Sequence, residues 1–214
     1  MDHDRQVPEG ACFIYDIFFD ISIMNKEIDF REVLRRWAIG EVGSKEFGFA
    51  GFEECRNRLK SNQFTDTDLE VYLCRRQFPI MTIAQLNAKW LLKPISYVMQ
   101  KFSEIIVIKD EGWKEKTNGS HLLIDAVKRS IDNPDKNSRE YQILENIDKL
   151  DIDDFTGITF IYYKKAKRFI TAEGHSRLMA LYNYLVVEQK KLDIDIEMAV
   201  GITDNKWIFD PLLN

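Results

Sequence analysis

The segment 168–187, RFITAEGHSRLMALYNYLVV, decides most of the fold. A β-rich run ends at Glu173 and Gly174, and an amphipathic helix begins directly afterwards at His175. The N–H groups in the first turn of a helix have no partner inside the helix, and the helix dipole favours negative charge at that end. A strand, a glycine and a helix in this order, with Arg177 in the first turn, therefore predict a site for a phosphate-type anion.

The residues on either side predict a mixed sheet around this turn. The apolar positions of the helix recur at helical spacing, which indicates a core face and not a cofactor site. Strand-type and helix-type runs alternate through the second half of the chain. The predicted elements are a strand at 104–109, helices at 120–131 and 138–149, strands at 157–163 and 168–172, the helix after Gly174, and a strand at 195–202.

The first half of the chain is predicted to be mostly helical, with one early strand. Asp29 is placed to cap the first helix. Pro79 is expected to interrupt the helical pattern. The predicted elements are the strand at 11–24 and helices around 33–38 and at 53–61, 68–76, 82–91 and 95–102. The fold class is therefore α+β (mixed α/β), with an α-rich region at 1–102 packed on an α/β domain at 103–214 whose tail docks on the core.

This second half resembles the ParB N-terminal-like superfamily, which also includes the sulfiredoxins and the DGQHR-type domains. The family signature is an acid–Gly–x–x–Arg turn between a strand and a helix, with a small residue three positions after the arginine. The matching positions here are Glu173, Gly174, His175, Ser176, Arg177 and Ala180. The preceding hairpin, the earlier helix and the closing strand follow in the order that the family uses.

The resemblance implies a pocket for the phosphates of a nucleotide or of a nucleic-acid backbone. Gly174 would let the backbone approach the anion, Ser176 and the helix N–H groups would contact its oxygens, and Arg177 would bind it as a forked cation. Glu173 has two open interpretations, as an acid that binds a divalent cation such as Mg²⁺ or transfers a proton, and as a carboxylate favoured by the helix dipole. His175 is the natural general acid or base if the chain hydrolyses a phosphate ester.

Departures from the family pattern limit the enzymatic prediction. Sulfiredoxins carry cysteine where His175 stands, so sulfinic-acid reduction is not expected. CTP-hydrolysing ParB proteins carry an acid and an arginine where this chain has His175 and Ser176. Whether the chain is an enzyme is therefore left open. On the plainer interpretation the segment is an ordinary helix start with a surface arginine. If it is an anion site instead, Arg177→Ala should abolish ligand binding and leave the thermal midpoint nearly unchanged, whereas a large drop in stability would mean that Arg177 is structural.

Two further features are candidates for ligand contact. The basic turn between the hairpin strands carries Lys165 and Arg168, which either extend a positive pocket or form a solvated turn. Trp113, in a polar stretch, is either a packing anchor or a surface on which a base stacks.

The composition limits which partners and which cellular location are expected for the protein. A net charge of −5 argues against bulk, sequence-independent DNA binding, which needs an excess of Lys and Arg. Three widely spaced cysteines, Cys12, Cys55 and Cys74, predict reduced thiols and a cytoplasmic location. No apolar run is long enough for a membrane span, so no membrane partner is expected.

The alternative function is that of a non-enzymatic interaction or regulatory protein, associated with a phage, plasmid or defence system. It would keep the scaffold without its chemistry. Its protein partner would bind the N-terminal half, where Phe47, Phe49 and Phe52 lie in a glycine-rich segment. A third class, a structural or assembly protein, predicts a large homo-oligomer.

Overall fold

A computed structural model describes residues 26–42, 52–73, 76–150, 152–192 and 196–213. These residues form nine α-helices and a six-stranded sheet. The helices are α1 (Phe30–Val42), α2 (Phe52–Lys60), α3 (Asp66–Leu73), α4 (Gln77–Ala84), α5 (Ile95–Met99), α6 (Glu111–Lys116), α7 (Leu123–Asp132), α8 (Arg139–Glu145) and α9 (His175–Tyr182). The strands are β1 (Lys26–Ile28), β2 (Lys89–Pro94), β3 (Ile105–Ile106), β4 (Thr159–Tyr163), β5 (Arg168–Glu173) and β6 (Glu197–Thr203). The predicted strand at 11–24 lies outside the described residues.

The sheet is mixed, which confirms the predicted α+β class. Its strand order is β1-β2-β6-β4-β5-β3. The β4–β5 hairpin and the β1–β2 and β2–β6 pairs are antiparallel, whereas β4–β6 and β3–β5 are parallel. Because β1 and β2 come from the first half of the chain, the sheet crosses the predicted boundary at 102/103.

Two apolar clusters cover the two faces of the sheet. Helices α1 to α4 bury their apolar residues on one face, and α5, α7 and α9 bury theirs on the other. In α1, Asp29 Oδ1 accepts a hydrogen bond from the N–H of Glu32 at 2.7 Å, which confirms the predicted cap. Trp37 Nε1 donates to Thr159 Oγ1 at 2.6 Å and so ties α1 to β4.

The predicted helix at 82–91 was wrong in its position, and the last part of that segment is a strand. The helix is α4, from Gln77 to Ala84, and the apolar run Trp90, Leu91 and Leu92 belongs to β2. All three side chains are buried because β2 lies inside the sheet between β1 and β6, with helices on both faces. A short apolar run without polar alternation does not distinguish a central strand from a buried helix.

Pro79 does not interrupt the chain as predicted. It lies in the first turn of α4, where an N–H has no partner inside the helix, so proline is tolerated there. Other predicted elements are shorter than expected. Strand 104–109 shortens to β3, helix 95–102 to α5, helix 138–149 to α8, and the motif helix ends at Tyr182 and continues as a π-helical turn, Asn183–Val187.

The C-terminal tail docks on the core, as predicted. Trp207 is buried and its Nε1 donates to Thr82 Oγ1 of α4 at 2.9 Å. In the described part of the chain, none of the helices has both the length and the apolar character that a membrane span requires.

Candidate functional site

A cavity of about 220 Å³ opens where β5 ends and α9 begins. All five residues of the predicted turn, 173–177, line it. Its walls also include residues from four other parts of the chain. The lining residues are Arg76, Pro79, Ile108, Trp113, Arg139, Ala172, Glu173, Gly174, His175, Ser176, Arg177, Trp207 and Phe209.

Gly174 makes the turn between strand and helix, as predicted, but for a different reason. Its φ of 86° lies in the left-handed region that favours glycine. A Cβ on Gly174 would lie 2.8 Å from Ile158 Cγ1 and 3.0 Å from Ile158 Cα. The missing side chain therefore makes room for the chain before β4, and ligand approach is not needed to explain the glycine.

Arg177 is a buried structural cation in this arrangement. Its side chain is 5% exposed. Nη1 donates to the backbone carbonyl oxygen of Asp154 at 2.9 Å, and Nη2 donates to Glu173 Oε1 at 3.2 Å. A Cβ on Gly40 of α1 would overlap Arg177 Nη1, and one on Gly157 would lie 3.1 Å from it. The guanidinium thus fills a slot between α1 and residue 157, and its predicted role as an open fork for a ligand stays a prediction.

Glu173 is held by donors on both carboxylate oxygens. Oε1 accepts the N–H of Gly174 at 2.9 Å as well as Arg177 Nη2. Oε2 lies 3.5 Å from Arg76 Nη2, which lies 3.0 Å from Glu41 Oε1. Burial pushes the pKa of Glu173 up, but the two arginines and the Gly174 N–H outweigh it, so the pKa lies below its ordinary value. The carboxylate is therefore ionised at neutral pH.

This environment does not favour the predicted metal role of Glu173. A metal ion would have to replace the arginines that already neutralise the carboxylate. Among the described residues, no three side chains of His, Cys, Asp or Glu are grouped as a metal site requires. The metal-ligand role of Glu173 stays a prediction from the resemblance.

His175 lies between a backbone amide and an aromatic ring. It is 6% exposed, and its Nε2 accepts the N–H of Ile108 in a long hydrogen bond of 3.4 Å. Trp113, which lies in α6, stacks on the imidazole with ring centroids 4.4 Å apart and planes 23° apart. Burial lowers the pKa of His175 to about 4, against the opposing effect of Glu173. The ring is therefore neutral at pH 7, with its proton on Nδ1.

Ser176 is engaged with a carboxylate next to the cavity. Its Oγ donates to Glu140 Oε2 at 3.3 Å, and Glu140 Oε1 lies 2.8 Å from Lys116 Nζ. The hydroxyl is consequently oriented by Glu140, while the backbone N–H of Ser176, at the second position of α9, has no helical partner to its N-terminal side.

Sequence reasoning missed two arginines of the cavity, Arg76 and Arg139. Arg139 is the first residue of α8, is exposed, and makes no hydrogen bond or ion pair with any residue that the structure describes. Its charge acts on Arg177, whose pKa falls mainly through burial and in part through this repulsion. Arg76 pairs with Glu41 and Glu173 yet keeps 34% of its side chain exposed. Neither residue has a sequence signal that connects it to the turn at Gly174.

The predicted contribution of the basic turn is not observed. Lys165 lies in the 3₁₀ turn Lys164–Ala166, at the end of the β4–β5 hairpin opposite to Glu173. Arg168 begins β5 at that same end, and its Nη1 lies 2.9 Å from Asp210 Oδ2. With a rise of about 3.3 Å per residue, a six-residue strand separates this turn from the cavity.

The cavity wall has a charged part and an apolar part. Three lining residues are arginines and one, Glu173, is a carboxylate, so positive charge exceeds negative charge although the whole chain carries −5. Pro79, Ile108, Trp207 and Phe209 supply an apolar wall. Such an arrangement suits an anionic group joined to a flat or apolar body.

Comparisons with known proteins leave the family of the chain open. No family model matches the chain, and no curated protein and no solved structure gives a significant match.

Proposed function

We propose that this chain binds a phosphate-bearing ligand, a nucleotide or a nucleic acid, in the cavity at the start of α9. The observation that carries the proposal is the excess of arginine around a strand–glycine–helix turn whose carboxylate is already neutralised. The helix begins at His175, so the first N–H groups of α9 are directed to this side of the turn. An anion there would be stabilised by the helix end and by the arginines together.

The residues of the turn divide into two roles in this proposal. Arg177 and Glu173 hold the turn against α1 and residue 154, and thereby fix the position of the helix start. Arg139 and the exposed part of Arg76 contact the phosphate oxygens, together with the N–H of Ser176. His175 donates through Nδ1 as a neutral group, because its pKa of about 4 keeps it uncharged at pH 7.

The resemblance to the ParB N-terminal-like superfamily is part of the proposal. It is supported by the element order, in which the β4–β5 hairpin leads through Gly174 into α9 and then into β6, which pairs parallel with β4. Binding is the activity that we propose. Acid–base catalysis by Glu173 and His175 stays an expectation of the resemblance, as does a cytoplasmic location.

A thermal-shift screen against nucleosides and their mono-, di- and triphosphates tests the proposal. A ligand at about 100 times its Kd adds about 2.7 kcal/mol to the free energy of unfolding. For a chain of this size, that corresponds to a rise in Tm of roughly 5–10 °C. At the same ligand concentration the rise should fall to about half or less in Arg139→Ala and be retained in Arg31→Ala, which removes an exposed arginine paired with Asp66 on α3. A flat screen across all phosphates would contradict the proposal.

One observation favours the alternative of an interaction protein. Phe78 and Met81, one turn apart on α4, are exposed together with Ile208 and Leu212 of the tail, and the Phe78 ring contacts Phe209 of the cavity wall. Exposed apolar patches of this kind mark protein interfaces. The predicted partner residues Phe47 and Phe49, and the side chain of Phe52, lie outside the described part. A stoichiometric protein partner that is lost in Phe78→Ser, together with no affinity for any phosphate, would favour this function.

A further inference from the structure

We infer that the cavity at the start of α9 is built for a dianionic phosphate monoester bound without a divalent cation, because three arginines and a buried histidine line a space of about 220 Å³ whose neighbouring carboxylates are already engaged. This inference rests on the proposed function and names the class of ligand within it.

The net positive charge around the cavity is small, so it suits one phosphate group better than three. Arg76, Arg139 and Arg177 against Glu173 leave an excess of two positive charges, which falls to one when Glu41, paired with Arg76 from outside the lining, is included. A phosphate monoester carries about −1.5 to −2 at pH 7. A triphosphate adds two more charged groups, which this lining does not match.

The carboxylates beside the cavity are occupied by cations and donors. Both oxygens of Glu173 are engaged, by Arg177 and the Gly174 N–H on one side and by Arg76 on the other. Both oxygens of Glu140 are engaged as well, by Lys116 and by Ser176. A divalent cation would have to displace these partners and approach three arginines, so the ligand's charge is matched by the protein itself.

His175 is an independent indication of a ligand atom. His175 is only 6% exposed and lines the cavity. Its Nε2 accepts the hydrogen bond from the N–H of Ile108. Nδ1 then carries the proton, and within the described part of the chain it donates to no acceptor. Nδ1 is not one of the fully buried polar atoms that lack a partner, so it is accessible from the cavity, where a phosphoryl oxygen would accept its hydrogen bond without adding a positive charge to the site.

The volume of the cavity and its apolar wall indicate which group is attached to the phosphate. Pockets for drug-sized molecules measure about 300–1,000 Å³, so a cavity of about 220 Å³ takes a phosphoryl group and part of a ring. Trp207 and Phe209 offer the ring an aromatic surface. A free nucleoside monophosphate and the 5′-terminal phosphate of an oligonucleotide both present this chemistry.

The test is isothermal titration of the full chain with nucleoside 5′-mono-, di- and triphosphates, each in EDTA and in Mg²⁺. The expected result is that a monophosphate binds about tenfold or more tightly than the matching triphosphate, with an affinity that Mg²⁺ changes by less than about twofold. Tighter binding of the triphosphate, or binding of any phosphate only with Mg²⁺, would overturn the inference while the proposed function survives. If no phosphate binds under either condition, the proposed function fails and the inference fails with it.

A ligand of similar size but lower charge distinguishes recognition of the dianion from recognition of the ligand's shape. The 3′,5′-cyclic monophosphate of the same base carries a single negative charge and should bind about tenfold more weakly than the 5′-monophosphate. Affinity for the 5′-monophosphate should fall as the pH drops through the second phosphate pKa near 6. Equal affinity for the cyclic and the 5′-monophosphate would contradict the inference.

The last arm distinguishes the two sources of the monoester. An oligonucleotide with a 5′-phosphate is compared with the same oligonucleotide with a 5′-hydroxyl. Preference for the phosphorylated strand over the free monophosphate identifies a nucleic-acid end, and the reverse preference identifies a free nucleotide. Equal binding of the two strands, together with no binding of the free monophosphate, would overturn recognition of a monoester.

Discussion

The floor of the cavity (Glu173, Gly174 and Arg177) and its mouth (Arg139) carry similar chemistry in opposite environments. At the floor, the arginine of the predicted motif is buried and both of its Nη atoms have protein partners. At the mouth, an arginine outside the motif is exposed and has no partner among the described residues. The comparison teaches that a place in the motif does not make an arginine available to a ligand: the motif arginine is buried among protein partners, and the exposed arginine of the cavity comes from elsewhere in the chain. In the proposed function, Arg177 positions the site and Arg139 contacts the ligand.

Arg177→Ala breaks the floor and should have the largest effect. It leaves the ionised Glu173 buried with one partner fewer, and removing one member of a buried pair costs about 3–5 kcal/mol. We expect the Tm to fall by roughly 6–20 °C in a thermal melt. Arg31→Ala, which removes an exposed pair, should cost less than about 1 kcal/mol. Equal losses in the two variants would mean that Arg177 has no structural role, which is the outcome that the sequence predicted for a ligand-binding arginine.

The pH dependence of stability should report the burial of His175. Its folded pKa of about 4 lies below the value of 6.5 expected in the unfolded chain, so the unfolded state binds the proton first as the pH falls. The stability that neutral His175 contributes is therefore full above pH 6.5 and is lost towards pH 4, by up to about 3 kcal/mol.

Urea unfolding of the wild type and of His175→Asn across this pH range isolates the effect, because the other titrating groups are common to both. The difference in unfolding free energy between the two proteins should shrink as the pH falls. A difference that stays constant from pH 7 to pH 4 would show that the histidine is not buried as described.

Gly174→Ala tests the packing at the turn with a matched control. Gly119 has a similar φ of 80°, but a Cβ there meets nothing within 4 Å. Gly119→Ala should therefore cost only the backbone strain of about 1–2 kcal/mol. Gly174→Ala adds the contact with Ile158 and should cost about 1–3 kcal/mol more in chemical unfolding. Indistinguishable losses would remove Ile158 as the reason for the glycine.

The sequence predicted the turn and its two flanking elements because their signals are local. Glycine between a β-rich run and an amphipathic run is enough to place the strand, the turn and the helix. The burial of Arg177 depends on Gly40 of α1 and on Asp154, which lie far from it in the chain and are brought next to it by the tertiary packing. No local pattern contains that information.

The same distinction explains the other differences. Trp90 and its neighbours form a strand because β1 and β6 lie on either side of β2, and the run alone fits a helix as well. Arg139 enters the cavity wall through the packing of α8 against α9. Lys165 was predicted near the site from closeness in sequence, whereas a strand carries it to the opposite end of the hairpin.

The most direct test of the central claim is to titrate a nucleoside 5′-monophosphate into Arg139→Ala and into Lys136→Ala. Lys136 is an exposed cation on the segment before α8 that does not line the cavity, so it controls for the loss of one positive charge. Both variants should unfold within about 0.5 kcal/mol of the wild type. A charged hydrogen bond contributes about 1.5–3 kcal/mol, so Arg139→Ala should weaken binding by roughly 10- to 100-fold while Lys136→Ala leaves it nearly unchanged. Equal affinities of the two variants would contradict the assignment of the ligand to the mouth of this cavity.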